Sequence, residues 1–298
     1  MNASPELPSR PHWGADGALL FITAIWGATF VTVKTALDDA DTLTFLALRF
    51  SLGALVAALL ARGALRNRMA WRGGVVLGVL LFGGYALQTW GLELTSPSRS
   101  AFITGLTVAF VPFAQLAVFR KRPSAAALVG VGVSVVGLAL LTGLDVAGGV
   151  PAGDALTLGC AVVYAFQIAL TGKYAREAPP TALVTVQLLL TAALAALLVP
   201  LGPMRLRPTP ELWGAVVVTG VVASAIAISL QAWAQARTTP VRAALIFALE
   251  PVFAAGLSAA LGREVLSMRE VAGGGVIVAG VLVAELGAAP RSRTSASG

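Results

Sequence analysis

Two ionisable residues of opposite charge lie deep within apolar stretches of the sequence. Arg49 falls inside the run 42–61, and Glu250 falls inside the run 242–261. An ionised side chain at the centre of a bilayer costs about 3 kcal/mol, so it normally faces a partner or water. Glu250 has three open interpretations: it binds a ligand's ammonium group, it takes up a proton, or it is structural and either protonated or paired with Arg49.

A proline next to Glu250 interrupts the backbone hydrogen bonding of its helix. Pro251 follows it and removes one backbone hydrogen bond, which leaves a carbonyl one turn earlier without its helical partner. For Arg49, a role in holding helices together is favoured over contact with a ligand.

Polar side chains recur at helical spacing in three other apolar runs. They are Ser100, Thr104, Thr107 and Gln115; Thr157, Cys160, Tyr164, Gln167 and Thr171; and Ser224, Gln231 and Gln235. Each set lies on or near one helical face, and such a face turned to lipid would leave its polar groups unsatisfied. The three faces therefore predict a polar cavity, with hydrogen bonds between helices as the alternative.

Aromatic residues extend this prediction. Trp26, Tyr85 and Tyr164 fall at mid-depth rather than at the membrane interfaces, where aromatic anchors normally collect. They are expected to form cavity walls, although core packing explains each of them equally well. The predicted substrate-binding residues are Trp26, Tyr85, Thr104, Thr107, Tyr164, Gln167, Ser224 and Glu250.

The composition requires a membrane environment for these residues. Of 298 residues, 57% are hydrophobic and 12% charged, whereas soluble domains carry about 25% charged residues. Runs long enough to cross a bilayer fall near 17–36, 42–61, 73–92, 99–119, 124–142, 154–173, 181–201, 212–235, 242–261 and 270–288. The predicted fold is an all-α integral membrane protein of ten transmembrane helices.

Basic residues predict the orientation of these spans. Fourteen Lys and Arg fall on the segments that share a face with the N-terminus, against five on the other face. By the positive-inside rule both termini are expected in the cytoplasm, with the chain in a bacterial-type inner membrane.

The two halves of the sequence are related by a shift of 143 residues. The matching pairs are Gln88/Gln231, Trp90/Trp233, Thr95/Thr238, Pro97/Pro240, Arg99/Arg242, Gly130/Gly273, Gly132/Gly275 and Gly137/Gly280. Because each half holds five spans, the second inserts inverted, as in carriers that open alternately to either side. The predicted repeats are 1–145 and 146–298. A duplication without a transport role is the alternative.

The repeat also suggests positions for gates and close packing. Gln88 and Trp90 are expected near one end of span 3, and Gln231 and Trp233 near the opposite end of span 8, as a pair of gate rims. An interfacial tryptophan belt is the more economical interpretation. The repeated glycines are expected to let spans 5 and 10 pack closely, on each other or on a partner subunit.

Several motifs resemble one known family. LEPVFAAGLSAALGRE (249–264), followed by spaced glycines at 273–280, resembles the second-repeat signature of EamA-type drug/metabolite transporters. IWGATF (25–30) and LRF (48–50) resemble its first two helices, whereas FVPFAQLAVFRKRPS (110–124) lacks the usual terminal acidic residue. The resemblance implies an efflux carrier whose central cavity is lined mainly by helices 1, 3, 4, 6, 8 and 9, with exporters of amino acids, including aromatic ones, among its relatives. In that scheme span 2 is peripheral.

Other functions lack their sequence features. The chain has neither a P-loop motif nor H-E-x-x-H or G-x-S-x-G, and Gly130-Val-Gly132 opens no βαβ unit. One cysteine, Cys160, and one histidine, His12, argue against a metal site or a Cys/His catalytic pair. We therefore expect no enzyme activity, no cofactor and no nucleic-acid partner. The expected partners are the lipid bilayer and a small molecule, and monomer and homodimer both remain open.

Three substrate classes would use these residues differently. An amino acid would place an apolar side chain on the aromatic rings and its polar head on Gln167, Glu250 and hydroxyls. A lipophilic cationic drug, effluxed in exchange for protons, would need Glu250 and the rings but no partner for a carboxylate. A sugar phosphate would need several Lys or Arg in the cavity, and few are available.

Overall fold

The computed structural model describes residues 13–61, 66–142, 151–260 and 267–287. Across these ranges, helical segments follow one another at the ten predicted positions. The first five are α1 (Trp13–Ala36), α2 (Thr42–Ala61), α3 (Arg68–Leu94), the pair α4 (Pro97–Gly105) and α5 (Thr107–Phe119), and α6 (Ala125–Thr142). The predicted boundary between the repeats, at 145/146, lies outside the described residues.

The second half follows the same order. It comprises α7 (Ala152–Glu177), α8 (Pro180–Leu198), α9 (Pro210–Val217) continued by a π-helical segment (Val218–Ile226) and α10 (Ala227–Gln235), the pair α11 (Pro240–Phe247) and α12 (Glu250–Ala260), and α13 (Met268–Gly287). A single 3₁₀ turn, Val199–Leu201, ends α8. The protein is therefore an all-α membrane protein.

Within the described residues, seven helical stretches are long and apolar enough to cross a bilayer by themselves. α6, α11 with α12, and α13 make up the remaining three spans. Consecutive spans are joined by short connections and alternate in direction. We call the side on which α1 begins the near face and the side on which it ends the far face.

The fourth and ninth spans, expected to be continuous, are each broken in the middle. The breaks fall at Leu106 and at Ala248–Leu249, so Leu106 and Leu249 correspond in the repeat. At the first break the Thr107 hydroxyl donates to the Thr104 carbonyl at 2.6 Å, an alternative to the regular helical bond. At the second, Pro251 has no N–H to donate to the carbonyl of residue 247. Thr107 and Glu250 consequently occupy equivalent positions, each first in the second half-helix.

The eighth span departs from regular α-helix between Val218 and Ile226. The Ser224 hydroxyl donates to the carbonyl of Thr219, five residues earlier, at 2.8 Å. π-Helical turns are rare and concentrate at functional sites. The widened turn changes which groups of this span face α1 and α2.

The repeated glycines of α6 and α13 pack these helices on each other. A Cβ added at Gly137 would lie 2.8 Å from the carbonyl oxygen of Gly273, and one added at Gly280 would lie 2.8 Å from that of Gly130. These contacts correspond under the repeat and confirm the close packing expected from the sequence. Gly132 and Gly275, in contrast, have nothing within 4 Å of such a Cβ.

Gly137→Leu should therefore destabilise the protein. The added side chain has no room against the backbone of α13, and over-packing of this kind costs about 1–3 kcal/mol. We expect an apparent melting temperature in detergent that is lower by several degrees. The matched control is Gly132→Leu on the same helix, which should melt like the wild type. Equal melting temperatures for both variants would contradict the packing described here.

Candidate functional site

A central cavity lies between the two halves of the protein. It has a volume of about 80 Å³ and is open to solvent at its mouth. Its walls come from α1, α3, α4, α5, α7, α10, α11 and α12, which are the spans that the family resemblance implies, and α2 adds Arg49. Seven of the eight predicted substrate-binding residues line it: Trp26, Tyr85, Thr104, Thr107, Tyr164, Gln167 and Glu250.

Aromatic rings form two parts of the cavity wall. The rings of Tyr85 and Tyr164 meet edge to face with centroids 5.7 Å apart. Trp26 packs against Phe247 at 5.3 Å, and its indole N–H donates to the Ala223 carbonyl at 2.9 Å. Because the polar groups of these side chains have partners, their ring faces can offer apolar surface to a ligand.

Two glutamines related by the repeat join the helices around the cavity. Gln88 donates to the Thr104 hydroxyl at 3.1 Å and accepts from the Tyr164 hydroxyl at 3.5 Å. Gln231 donates to the amide oxygen of Gln167 at 3.4 Å. The buried Nε2 of Gln167 makes no hydrogen bond with any residue that the structure describes, so it is available to a ligand.

Glu250 brings a carboxyl group to the cavity at the break between α11 and α12. Its side chain is buried, and within the described ranges neither a hydrogen bond nor an ion pair engages its carboxyl group. The pairing with Arg49 that the sequence allowed is absent among these contacts. A buried acidic group without a protein partner can serve a cationic ligand or a proton.

Arg49 lies in the cavity wall rather than outside it. Its Nε donates to the Ser224 hydroxyl at 3.0 Å, and its Nη2 donates to the Tyr85 hydroxyl at 3.3 Å. The guanidinium also stacks on the Tyr85 ring, 4.5 Å from the centroid. The favoured role in helix packing is thus present, but it leaves the residue facing the cavity.

Ser224 is the one predicted substrate-binding residue that lies outside the cavity lining. It is one hydrogen bond behind Arg49. Its hydroxyl is engaged within the π-helical segment instead, donating to the Thr219 carbonyl and accepting from Arg49.

The four expected gate residues fall into two groups. Gln88 and Gln231 line the cavity itself, because α3 continues six residues beyond Gln88 and α10 four beyond Gln231. Trp90 and Trp233 lie outside the cavity lining. Trp233 is partly exposed and stacks on the guanidinium of Arg237 at 4.4 Å, which is typical of an interfacial tryptophan.

Two ion pairs join the ends of the cavity helices, and their arginines, Arg99 and Arg242, correspond under the repeat. At the far face, Arg99 binds Asp154 in a bidentate contact, with Nε donating at 2.9 and 2.8 Å. At the near face, Arg242 Nη2 donates to Asp16 at 2.8 Å. Each pair joins one half of the chain to the other. Sequence reasoning found the two arginines as repeat partners but not the aspartates.

Among the described residues, no group of three His, Cys, Asp or Glu side chains is placed to hold a metal ion. The cavity therefore offers aromatic surface, amides, hydroxyls and two isolated charged groups. Such a surface can bind a small amphiphilic molecule by its apolar and polar ends together.

Known proteins are similar to this chain in sequence and in architecture. Residues 14–143 and 151–286 match the model of the EamA-like transporter family. A protein of Archaeoglobus fulgidus described as an uncharacterized transporter is 30% identical over 272 residues, which span 91% of this chain and 86% of that protein. A protein of known crystal structure shares the fold with a TM-score of 0.78 and 22% identity, covering 95% of this chain and 99% of that one. The chain belongs to the EamA-like transporter family and is a multi-pass membrane transporter of small molecules.

Proposed function

We propose that this protein exports amino acids, including aromatic and apolar ones, across the inner membrane by alternating access. The observation that carries the proposal is a buried Glu250 carboxyl group that has no partner among the described residues, in a cavity walled by Trp26, Tyr85 and Tyr164. The rings would hold the substrate side chain and Glu250 its ammonium group. Thr104, Thr107 and Gln167 would meet the remaining polar atoms.

The membrane that holds the protein and the direction of transport are inferred separately. The excess of Lys and Arg on the near face favours a cytoplasmic near face with both termini inside, as in an inner-membrane protein. Export is what the family resemblance implies. The repeats of the proposal are residues 1–145 and 146–298.

Uptake into proteoliposomes tests the substrate class. Labelled phenylalanine, leucine, glutamate, a sugar phosphate and a lipophilic quaternary ammonium cation are compared, each with and without an imposed pH gradient. Saturable flux of the two apolar amino acids is expected. Saturable flux of the sugar phosphate without flux of the amino acids would overturn the proposal.

A second candidate is proton-coupled efflux of lipophilic cations. Glu250 and the three rings favour it, because an acidic group and aromatic faces both attract cations. Arg49 in the same wall opposes it by repulsion. Flux of the quaternary ammonium cation that depends on the pH gradient, without amino-acid flux, would favour this candidate.

The two ion pairs support alternating access. We expect the loss of one pair to expose the cavity at the far face and the loss of the other to expose it at the near face. Arg99→Gln should open the far face and Arg242→Gln the near face, because each removes one of two corresponding contacts. Both pairs are partly buried, so each should contribute at least the roughly 1 kcal/mol of a good surface pair, and we expect shifts of about fivefold. The readout is labelling of Thr107→Cys, in a Cys160→Ala background, by an impermeant maleimide from either face.

The matched control is Arg122→Gln, an exposed residue beyond α5, which should change neither labelling rate. Asp154→Asn and Asp16→Asn should reproduce the effects of the arginine variants at their own faces. If both arginine variants raised labelling from the same face, the two ion pairs would not be opposing gates.

A further inference from the structure

Arg49 is a buried cation that has no anionic partner in the part of the chain that the structure describes. The residue is 2% exposed and lines the central cavity. Its contacts in the described part of the chain are with hydroxyl groups and rings, namely Ser224, Tyr85 and Phe50. The ion pairs among the described residues join other side chains, so the Glu250 carboxyl group lies more than 4.0 Å from the Arg49 guanidinium group.

The guanidinium group retains donors that none of the described residues accepts from. Arginine carries five N–H groups in a planar fork that matches a carboxylate. Within the described residues, Nε and Nη2 each make one hydrogen bond, and Nη1 makes none. Burying a charge is costly unless it is paired, so this geometry calls for an anion from outside the protein.

The π-helical segment holds Arg49 in this position. Because the Ser224 hydroxyl donates its own proton to Thr219, its oxygen is left to accept from Arg49 Nε. The backbones are in contact as well, since a Cβ added at Gly220 would lie 2.7 Å from the Arg49 carbonyl oxygen. A guanidinium fixed at its Nε edge and stacked on Tyr85 presents the remaining N–H groups in one direction.

We propose that Arg49, fixed by Ser224 of the π-helical segment, is the binding group for the substrate's carboxylate. This inference rests on the proposed function. With Glu250 as the partner of the ammonium group, the cavity holds two separate charged groups for the two ends of a zwitterion. The site would thus select amino acids over amines and over carboxylic acids that lack the other charge.

Equilibrium binding to purified protein in detergent tests the assignment without interference from membrane permeation. Three ligands share one ring: L-phenylalanine, 2-phenylethylamine without the carboxylate, and 3-phenylpropionate without the ammonium group. Arg49→Gln should weaken phenylalanine and phenylpropionate about 10- to 100-fold, because a charge-assisted pair is lost. Phenylethylamine should change by less than about threefold.

Ser224→Ala tests whether Ser224 positions Arg49 for the ligand. It keeps the charge but removes the acceptor for Nε, so the same two ligands should weaken about fivefold. Arg49→Lys should recover part of the phenylpropionate affinity relative to Arg49→Gln, because it restores the charge without the fork. Arg68→Gln at the near end of α3 is the control and should bind all three ligands like the wild type.

The outcomes distinguish two kinds of failure. If the wild type binds none of the three ligands, the proposed function itself is wrong. If the wild type binds phenylalanine, and Arg49→Gln and Ser224→Ala weaken phenylethylamine as much as phenylpropionate, Arg49 has a structural role. The carboxylate assignment is then overturned while amino-acid transport stands.

Discussion

Replacing Glu250 with glutamine is expected to reduce phenylalanine flux about 10- to 100-fold. The substitution keeps the size of the side chain and removes its negative charge. In the proposed site the substrate's ammonium group then meets a buried neutral amide, and no other acidic residue among those that line the cavity replaces the lost charge. Initial rates in proteoliposomes at matched protein content provide the measurement.

A structural role for Glu250 would give a different pattern. No described side chain depends on its carboxyl group for a hydrogen bond, so Glu250→Gln should elute and melt like the wild type. The matched control is Glu211→Gln, an exposed acidic residue in the first turn of α9, which should retain full flux. Full flux in folded Glu250→Gln would remove this residue from the site.

Tyr164→Ala is expected to have the second large effect on transport. Its ring forms part of the cavity wall beside Tyr85, and removing it takes away a flat contact for an aromatic substrate. A lost aromatic contact is worth about 1.5 kcal/mol, so the KM for phenylalanine should rise about tenfold, and that for alanine much less. Concentration-dependent uptake of both amino acids provides the measurement.

Two further variants isolate the ring as the cause. Tyr164→Phe keeps the ring and loses its hydroxyl contacts, among them the 3.5 Å one with Gln88, so its KM should stay within about twofold of the wild type. Phe21→Ala removes a ring from the exposed surface of α1 and should leave transport unchanged. An equal rise in KM for alanine and phenylalanine would argue for a general disturbance of the cavity instead.

Much of the architecture could be predicted because it depends on periodic features. Apolar length determines where the chain can cross a bilayer, and glycine spacing determines where two helices can approach closely. Gly137 and Gly280 were therefore recognisable as packing positions from the sequence. Polar residues at helical spacing likewise indicated a cavity face, and Gln167 and Tyr164 do line the cavity.

The remaining features depend on contacts between distant segments. Nothing in the composition of 218–226 distinguishes a π-helical turn from an α-helical one, so the placement of Ser224 behind Arg49 was missed. No proline adjoins Leu106, so the sequence does not predict the break there. Asp154 and Asp16 become ion-pair partners of Arg99 and Arg242 only because α7 and α1 begin beside α4 and α11.

Counterflow in proteoliposomes tests the central claim most directly. Vesicles loaded with unlabelled phenylalanine are diluted into a trace of labelled phenylalanine, and the internal label is followed over time. A carrier with one central site that opens to each face in turn should accumulate label transiently above its equilibrium level, and Glu250→Gln should not. Entry that rises only to equilibrium, or no saturable entry, would contradict the account.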